Sequence, residues 1–270
     1  MAVTALHSAA TGLNSLSREI DIIANNLANV NTTGFKGLRA NFEDLLYEAK
    51  EQPGVENAQG DRTPAGLFVG LGTRISNTQF DQTQGDPVNT GGDFDVMING
   101  RGYFQVRVAD DTGNGVAYTR AGNFFVNRDG QMVLGNSAGP LLTNPEIEID
   151  PEAFDIEISE DGQITGLLPG QTVRAEFGQL QIANFVNPAG LTAIGGNLLI
   201  ENDASGPPII GTPTEANFGS ILHKYLESSN VDPVKELVSL IKTQRAFELN
   251  SQTIQAADQA LQVISNLRRA

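Results

Sequence analysis

The 270-residue sequence predicts an α+β chain. Long N- and C-terminal helices are expected to pair as a coiled-coil-like hairpin, around an antiparallel β-rich middle domain. Three observations carry that reading. Apolar residues recur every seven positions near both ends. Between the ends the apolar period falls to two. Glycine-containing turn sequences then punctuate the middle at short intervals.

The first helix is expected from about Val3 to about Val30. Leu6, Leu13, Ile20 and Leu27 form one row, and Ala9, Leu16, Ile23 and Val30 form a second row three positions on. Side chains at these spacings share one helix face, and a strict seven-residue repeat suits helices packed along their length. Asn31-Thr32-Thr33-Gly34 marks the stop, because glycine just past a helix adopts the left-handed conformation without strain. Such a helix is roughly 40 Å long.

The last helix opens at Asp232-Pro233, where the aspartate can cap free amides and proline suits the first helical position. Leu240, Phe247, Ile254 and Leu261 repeat every seven residues, with Thr243, Asn250, Ala257 and Ile264 beside them, and no Gly or Pro interrupts the run. About 35 helical residues span roughly 50 Å, so the two arms are comparable in length. Lone helices of this size are marginal in water, and their stability comes from packing. The arms are therefore expected to fray in an isolated subunit and to order in a polymer. The expected self-assembly contacts are Leu6, Leu13, Leu16, Ile20, Ile23, Leu27, Val30, Leu240, Phe247, Ile254, Leu261 and Ile264.

Between the arms the pattern changes twice. Phe42, Leu45 and Leu46 form a short amphipathic stretch, and residues 49–66 are polar and rich in Gly and Pro, as in a loop or extended hairpin. From about Leu67 the period is two. Phe94, Val96 and Ile98 alternate with polar neighbours, and Asn99-Gly100-Arg101-Gly102 is read as a turn into a returning strand from Tyr103 to Val108. Asp129-Gly130 and Asp161-Gly162 signal two further hairpins, and Gln179–Val186 and Leu198–Glu201 read as strands. The expected organisation is a discontinuous helical assembly domain (1–34 with 228–270), a linker or hairpin segment (35–69) and a β-rich outer domain (70–227).

Charge follows the same division. Residues 1–50 carry four basic and five acidic groups, and residues 220–270 carry six basic and five acidic, so the net −15 falls on residues 51–219. Near-neutral arms can pack against copies of themselves, while an acidic middle stays hydrated. No basic stripe is present to meet phosphates, which argues against nucleic acid. No run of 18 apolar residues argues for membrane insertion. No basic n-region precedes Arg18 and no apolar h-region follows the start, so no cleaved signal peptide is expected. Cysteine is absent, which excludes disulfides and thiolate chemistry.

Chemical motifs are weak. Gly135-Asn136-Ser137-Ala138-Gly139 has nucleophile-elbow spacing with His223 downstream, but Pro140 and Pro145 follow where a helix is needed. Asp110, Thr112, Asn114 and Gly115 resemble the start of a calcium loop, yet Ala121 stands where a bidentate glutamate belongs. His7 and His223 have no neighbouring metal-ligand partner in sequence. Asp93 and Asp95 alternate on a strand and read as solvated charges. No catalytic, cofactor or metal site is expected, and the chain is not read as an enzyme.

The stretch from Ala24 to Lys36, reading ANNLANVNTTGFK, resembles the amino-terminal signature of the bacterial flagellar rod and hook axial proteins. Its family-signature residues are Asn25, Asn26, Leu27, Asn29, Asn31, Thr32, Gly34 and Phe35. Glu227-Ser228-Ser229-Asn230-Val231-Asp232 and the run from Leu237 to Gln259 resemble the second signature. Gly100-x-Gly-Tyr-Phe104, Tyr118-Thr119-Arg120-x-Gly122-x-Phe124 and QIANFVNPAG at 181–190 agree as well. The segment from Gln52 through Pro64 to Gly72, with the overall length, favours the distal-rod type over the hook and proximal-rod types. Met1-Ala2-Val3-Thr4 and Asp232-Pro233 depart from the pattern and leave the position along the rod open.

The resemblance implies a helical tube lined by paired terminal helices, with β domains outside, that carries torque from motor to hook and forms part of the export channel. It implies a homopolymer that meets proximal rod and hook subunits, bushing ring proteins and the flagellar type III export apparatus, in the periplasm-spanning part of the basal body. A hook or proximal-rod subunit is the alternative within the family. A secreted carbohydrate-active enzyme or adhesin is the competing reading, and it requires a folded, active monomer with dispensable arms. Two finer expectations follow. Asn25, Asn26, Asn29 and Asn31 are poor helix formers whose amides suit hydrogen bonds between subunits. The loop at 50–66 is expected to reach a neighbouring subunit and stiffen the tube.

Overall fold

The computed structural model describes residues 2–54, 65–108, 113–135, 147–215 and 217–267. The chain divides into two compact units. One holds residues 1–28, 38–79 and 232–270; the other holds 29–37 and 80–231. The boundaries set by packing therefore differ from those drawn on composition. The segment 35–69 does not stand apart but is shared between the units at Gly37/Leu38.

The helical unit is built on α1 (Ala2–Ala28) and α2 (Pro233–Leu267), which pack against each other. Gly12 lies against Asn250, where an added Cβ would stand 3.1 Å from the amide nitrogen. Asn26 Nδ2 lies 3.4 Å from Glu236 Oε1. Gly12 and Asn26 are fourteen residues apart, as are Glu236 and Asn250, in reversed order. The helices thus run antiparallel. Asp232 caps α2 as its sequence predicts: Oδ1 accepts from Val234 N (2.9 Å) and Lys235 N (3.2 Å). These amide bonds, that from Lys235 foremost, hold the Asp232 carboxyl below the usual range.

Among the described residues, four strands complete this unit. β1 (Leu38–Asp44) pairs with β4 (Thr73–Phe80), and β2 (Tyr47–Glu51) pairs antiparallel with β3 (Leu67–Gly70). Side-chain pairs Arg39–Gln79, Asn41–Asn77 and Glu43–Arg74 run down the first ribbon. α1 is tied to the strands by small hydroxyl residues: Ser8 Oγ donates to Gly70 O and Ser15 Oγ to Thr73 O.

The β unit contains β5 (Pro87–Asn89), β6 (Val96–Asn99), β7 (Tyr103–Arg107), β8 (Val116–Thr119), β9 (Phe124–Val126) and β10 (Met132–Leu134). Then come β11 (Phe154–Ile158), β12 (Gln163–Leu167), β13 (Ala175–Gln179), β14 (Ile182–Asn184), β15 (Thr192–Gly195) and β16 (Leu198–Ile200). β17 (Ile209–Gly211), β18 (Ser220–His223) and β19 (Tyr225–Glu227) close it. Six of them form one sheet in the order β15-β16-β8-β7-β14-β17. β11-β12-β13 form a second, and β9 with β10, β6 with β18 and β5 with β19 form ribbons. The core joins Val96, Ile98, Phe104, Val106, Phe124, Met132, Ile164, Leu180, Ile182 and Ile221, all essentially without solvent contact. Phe104 and Phe124 meet edge to face at 5.2 Å.

The hairpins expected at Asp129-Gly130 and Asp161-Gly162 are present as β9–β10 and β11–β12, with Gly130 and Gly162 at positive φ. The hairpin expected across Asn99–Gly102 is not. β6 pairs with β18, and β7 with β8 and β14. Gly100 and Gly102 both take positive φ (+117° and +139°), and Arg120 donates to the carbonyls of Ile98 (3.3 Å) and Gly100 (2.7 Å). The guanidinium occupies acceptors that a hairpin would need, so the two strands diverge. The strand expected over Gln179–Val186 is likewise divided, into the end of β13 and β14.

Candidate functional site: the helix pair and a buried ion cluster

Within the helical unit, the α1 residues expected at an assembly interface are half-buried (Leu6, Leu13, Leu16, Ile20, Leu27), and Ile23 is buried. Val30 lies past the end of α1, in the β unit, and is half-buried. On α2, Leu240, Ile254 and Leu261 are half-buried, Phe247 is exposed, and the side chain of Ile264 lies outside the described residues. The seam where α2 meets α1 is small and polar: Thr243 is buried, and Glu236, Ser239, Ala246, Asn250 and Ala257 are half-buried. A second set of aliphatic side chains on α2 points elsewhere. Val234 (68 % exposed), Ile241 (58 %), Leu249 (63 %), Leu237, Val238 and Val263 all face solvent. Fully burying one such side chain is worth about 1.5–3 kcal/mol. The heptad rows missed this second apolar surface, although its signal is present as aliphatic residues at positions that fall between the two rows.

The β2–β3 ribbon is equally unfinished. Leu46 (82 % exposed), Tyr47, Leu67 and Phe68 are all open to solvent. A two-stranded ribbon with no covered face is marginal by itself.

The signature residues divide between the units. Asn25 is exposed on α1. Asn26 is buried and committed inside the chain: its Nδ2 donates to Leu38 O and its Oδ1 accepts from Leu38 N, both at 2.8 Å. This pair of bonds fixes the start of β1, a different use from the inter-subunit bonding expected of it. Asn29, Asn31, Thr32, Gly34 and Phe35 belong to the β unit; Asn31 is exposed and Thr32 Oγ1 donates to Asn29 Oδ1 (3.1 Å). Gly34 needs to be glycine twice over. Its φ is +67°, and a Cβ would stand 2.6 Å from Ala121 N.

That close approach brings the sequence motifs of the β unit together. Gly34 N donates to Glu227 O (2.8 Å), and Asn230 Oδ1 accepts from Gly37 N (2.8 Å). The Glu227 side chain is fully buried between two cations. Oε1 lies 2.5 Å from Lys36 Nζ and accepts from Gly85 N (3.0 Å), and Oε2 lies 3.4 Å from Arg120 Nη1. Lys36 also donates to Thr83 O (2.7 Å), and the Arg120 guanidinium lies 5.2 Å above the Tyr103 ring. Burial pulls the Lys36 amine below the usual lysine range, against the attraction of Glu227. Burial likewise pushes the Tyr103 hydroxyl upward. One carboxylate thus holds two buried cations, drawn from residues 36, 120 and 227. Nothing in the sequence marks these charges as internal, since charged residues are seldom buried.

Beside the cluster a solvent-open cavity of about 250 Å³ is lined by Phe35, Lys36, Phe80, Arg120, Leu198 and Leu199 among others.

The remaining motif residues have ordinary partners. His223 bridges Ile158 N and Asp93 O, Asp93 pairs with Lys224, and Asp95 accepts from Thr90. His7 is exposed on α1. Asp110, Thr112 and residues 136–139 of the two weak motifs lie outside the described residues, as does most of the 50–66 loop.

Three family models match the chain. They are the flagella basal body rod protein (residues 6–36), the flagellar hook protein FlgE/F/G D1 domain (97–166) and the flagellar basal body rod FlgEFG protein C-terminal region (223–267). The flagellar basal-body rod protein FlgG of Agrobacterium fabrum is 42 % identical, over 97 % of this chain and 98 % of its own. Identity to FlgG of Caulobacter vibrioides is 42 % (98 % and 99 % covered) and to FlgG of Bacillus subtilis 34 % (98 % of each). The chain belongs to the flagellar basal-body rod protein FlgG family. A solved hook protein, FlgE2 of Helicobacter pylori, overlaps at 15 % identity and a TM-score of 0.24, over 71 % of this chain and 43 % of that one, a likeness too slight to bear on the fold. The family models meet the ion cluster at all three of its corners: Lys36 closes the first match, Arg120 lies inside the second and Glu227 lies near the start of the third. Among the described residues, no helix is long and apolar enough to cross a membrane.

Proposed function

We propose that this chain is a structural subunit of the flagellar distal rod, self-assembling into a rigid hollow helical tube that carries torque from motor to hook and forms part of the export channel. The observation that carries the reading is the outward aliphatic face of α2, in a chain whose full-length relatives are rod proteins. An isolated subunit leaves that surface wet; stacking copies side by side buries it. The paired helices adopt coiled-coil-like packing around the bore, with Leu6, Leu13, Leu16, Ile20, Ile23, Leu27, Leu240, Phe247, Ile254 and Leu261 in the contacts between copies. The exposed β2–β3 ribbon and the loop that follows it reach a neighbouring subunit and stiffen the tube.

The partners of this reading are proximal rod and hook subunits at the tube ends, bushing ring proteins around it and the type III export apparatus. The location is the periplasm-spanning rod. The relatives are rod proteins rather than hook proteins over nearly their whole length, which leaves the hook alternative with less support. The deciding experiment is assembly of purified subunits, followed by helical reconstruction. Straight tubes with terminal helices around the bore are expected. A stable monomer that never polymerises at high concentration contradicts the reading.

A further inference from the structure

We propose that the cavity beside the ion cluster receives the β2–β3 ribbon of a second copy of this chain; this rests on the self-assembly reading above. The cavity has two characters. Phe35, Phe80, Leu198 and Leu199 give it apolar walls, and Lys36 and Arg120 stand at its edge. Those two cations share the single carboxylate of Glu227; Asp81 also acts on Lys36, and among the described residues Arg120 has only its 3.4 Å contact to Glu227 as an ion pair. Its mouth is open: Ala193 is exposed there, and Gly195, Gly196 and Asn197 form a turn at positive φ with little side-chain bulk.

The ribbon has the complementary features. Leu67 and Phe68 are exposed, and Leu67 sits opposite Glu51 in the β2–β3 register. Glu48, Lys50 and Glu51 leave the ribbon one negative charge in excess. An apolar side chain beside a carboxylate therefore meets an apolar cavity beside a cation. Such a match fixes register and orientation between copies as well as adding contact area. The outward face of α2 is a long stripe and needs a matching stripe, so it is not the occupant.

The chain has no cysteine, so paired cysteines report cleanly on this contact. L67C with A193C, oxidised in assembled tubes and in the concentrated soluble chain, is expected to give a reduction-sensitive ladder of dimers and higher multimers. L67C with V173C, a pair placing the second cysteine on an exposed residue away from the cavity lining, is expected to give none. Absence of the ladder from both tubes and concentrated chain overturns the proposal, as does a cross-link confined to single chains. Ala193→Trp, which obstructs the mouth, is expected to raise the critical concentration for assembly at least tenfold while the circular dichroism spectrum is unchanged; an unaltered critical concentration overturns it. If the cysteine-free parent forms no tubes, the self-assembly reading fails, and the ladder from the concentrated chain still decides the cavity contact.

Discussion

The two units differ in where their packed interiors draw on large apolar residues, although both also expose some. In the β unit Ile98, Phe104, Ile164 and Ile182 are sealed from water, and even its buried charges are paired. In the helical unit the seam between α1 and α2 holds Gly12, Thr243 and Asn250, while Val234, Ile241 and Leu249 face outward. The β unit completes its own core. The helical unit has the composition of a core but lacks the other half of it. Under the proposed function, stability and assembly are carried by different residues of the same chemical type.

The largest effect expected of this division is all-or-none. Removing residues 232–270, or 1–28, abolishes tube formation while the β unit keeps its cooperative unfolding transition, read by sedimentation and by urea titration. Loss of both together would erase the distinction between the units. Next, Glu227→Gln leaves Lys36 and Arg120 buried without a counter-charge and costs about 3–5 kcal/mol, measured as a lowered urea midpoint.

A matched pair of isoleucines sharpens the comparison. Ile182→Ala is expected to cost about 2–5 kcal/mol, as large core truncations do. Ile241→Ala is expected to change subunit stability by no more than about 0.5 kcal/mol, yet to raise the critical concentration for assembly. Equal destabilisation by the two would mean that α2 already has a finished core.

The pH dependence follows from Lys36. Its folded-state pKa is depressed by burial, so the unfolded chain binds its proton more tightly. The associated stability is fully present above the unfolded lysine value of about 10.4 and is lost as pH falls through the folded value. Lys36 is thus expected to add stability as pH rises between its folded and unfolded values, and Lys36→Met removes that contribution. A wild-type slope no steeper than that of the variant contradicts it. The smallest effect is at Thr214, a β-branched residue at φ +69°. Thr214→Gly relieves left-handed strain of roughly 1 kcal/mol, offset in part by added freedom of the unfolded chain.

Local chemistry explains what could be read from the sequence. The hairpins at Gly130 and Gly162 and the cap at Asp232 depend on residues within four positions of one another, and they formed as expected. The divergence of β6 from β7 could not be read, because it depends on Arg120 arriving from 20 and 22 positions downstream. The ion cluster was further out of reach, since Lys36 and Glu227 are 191 positions apart. Asn26 misled for a related reason. Its amide is as able to bond a neighbour as a strand, and only the turn at 29–37 brings Leu38 back to it. The heptad rows located both helices but not the direction of every aliphatic side chain, since α2 carries apolar residues on more than one face.

Amide hydrogen exchange of α2, compared between the dilute subunit and the assembled tube, tests the central claim most directly. In the dilute subunit, amides of residues 240–262 are expected to exchange far faster than those of β7 and β8, and in the tube both regions are expected to be protected. Protection of α2 in the dilute subunit equal to that of the β core would contradict the claim that the helical unit is finished only by copies of itself.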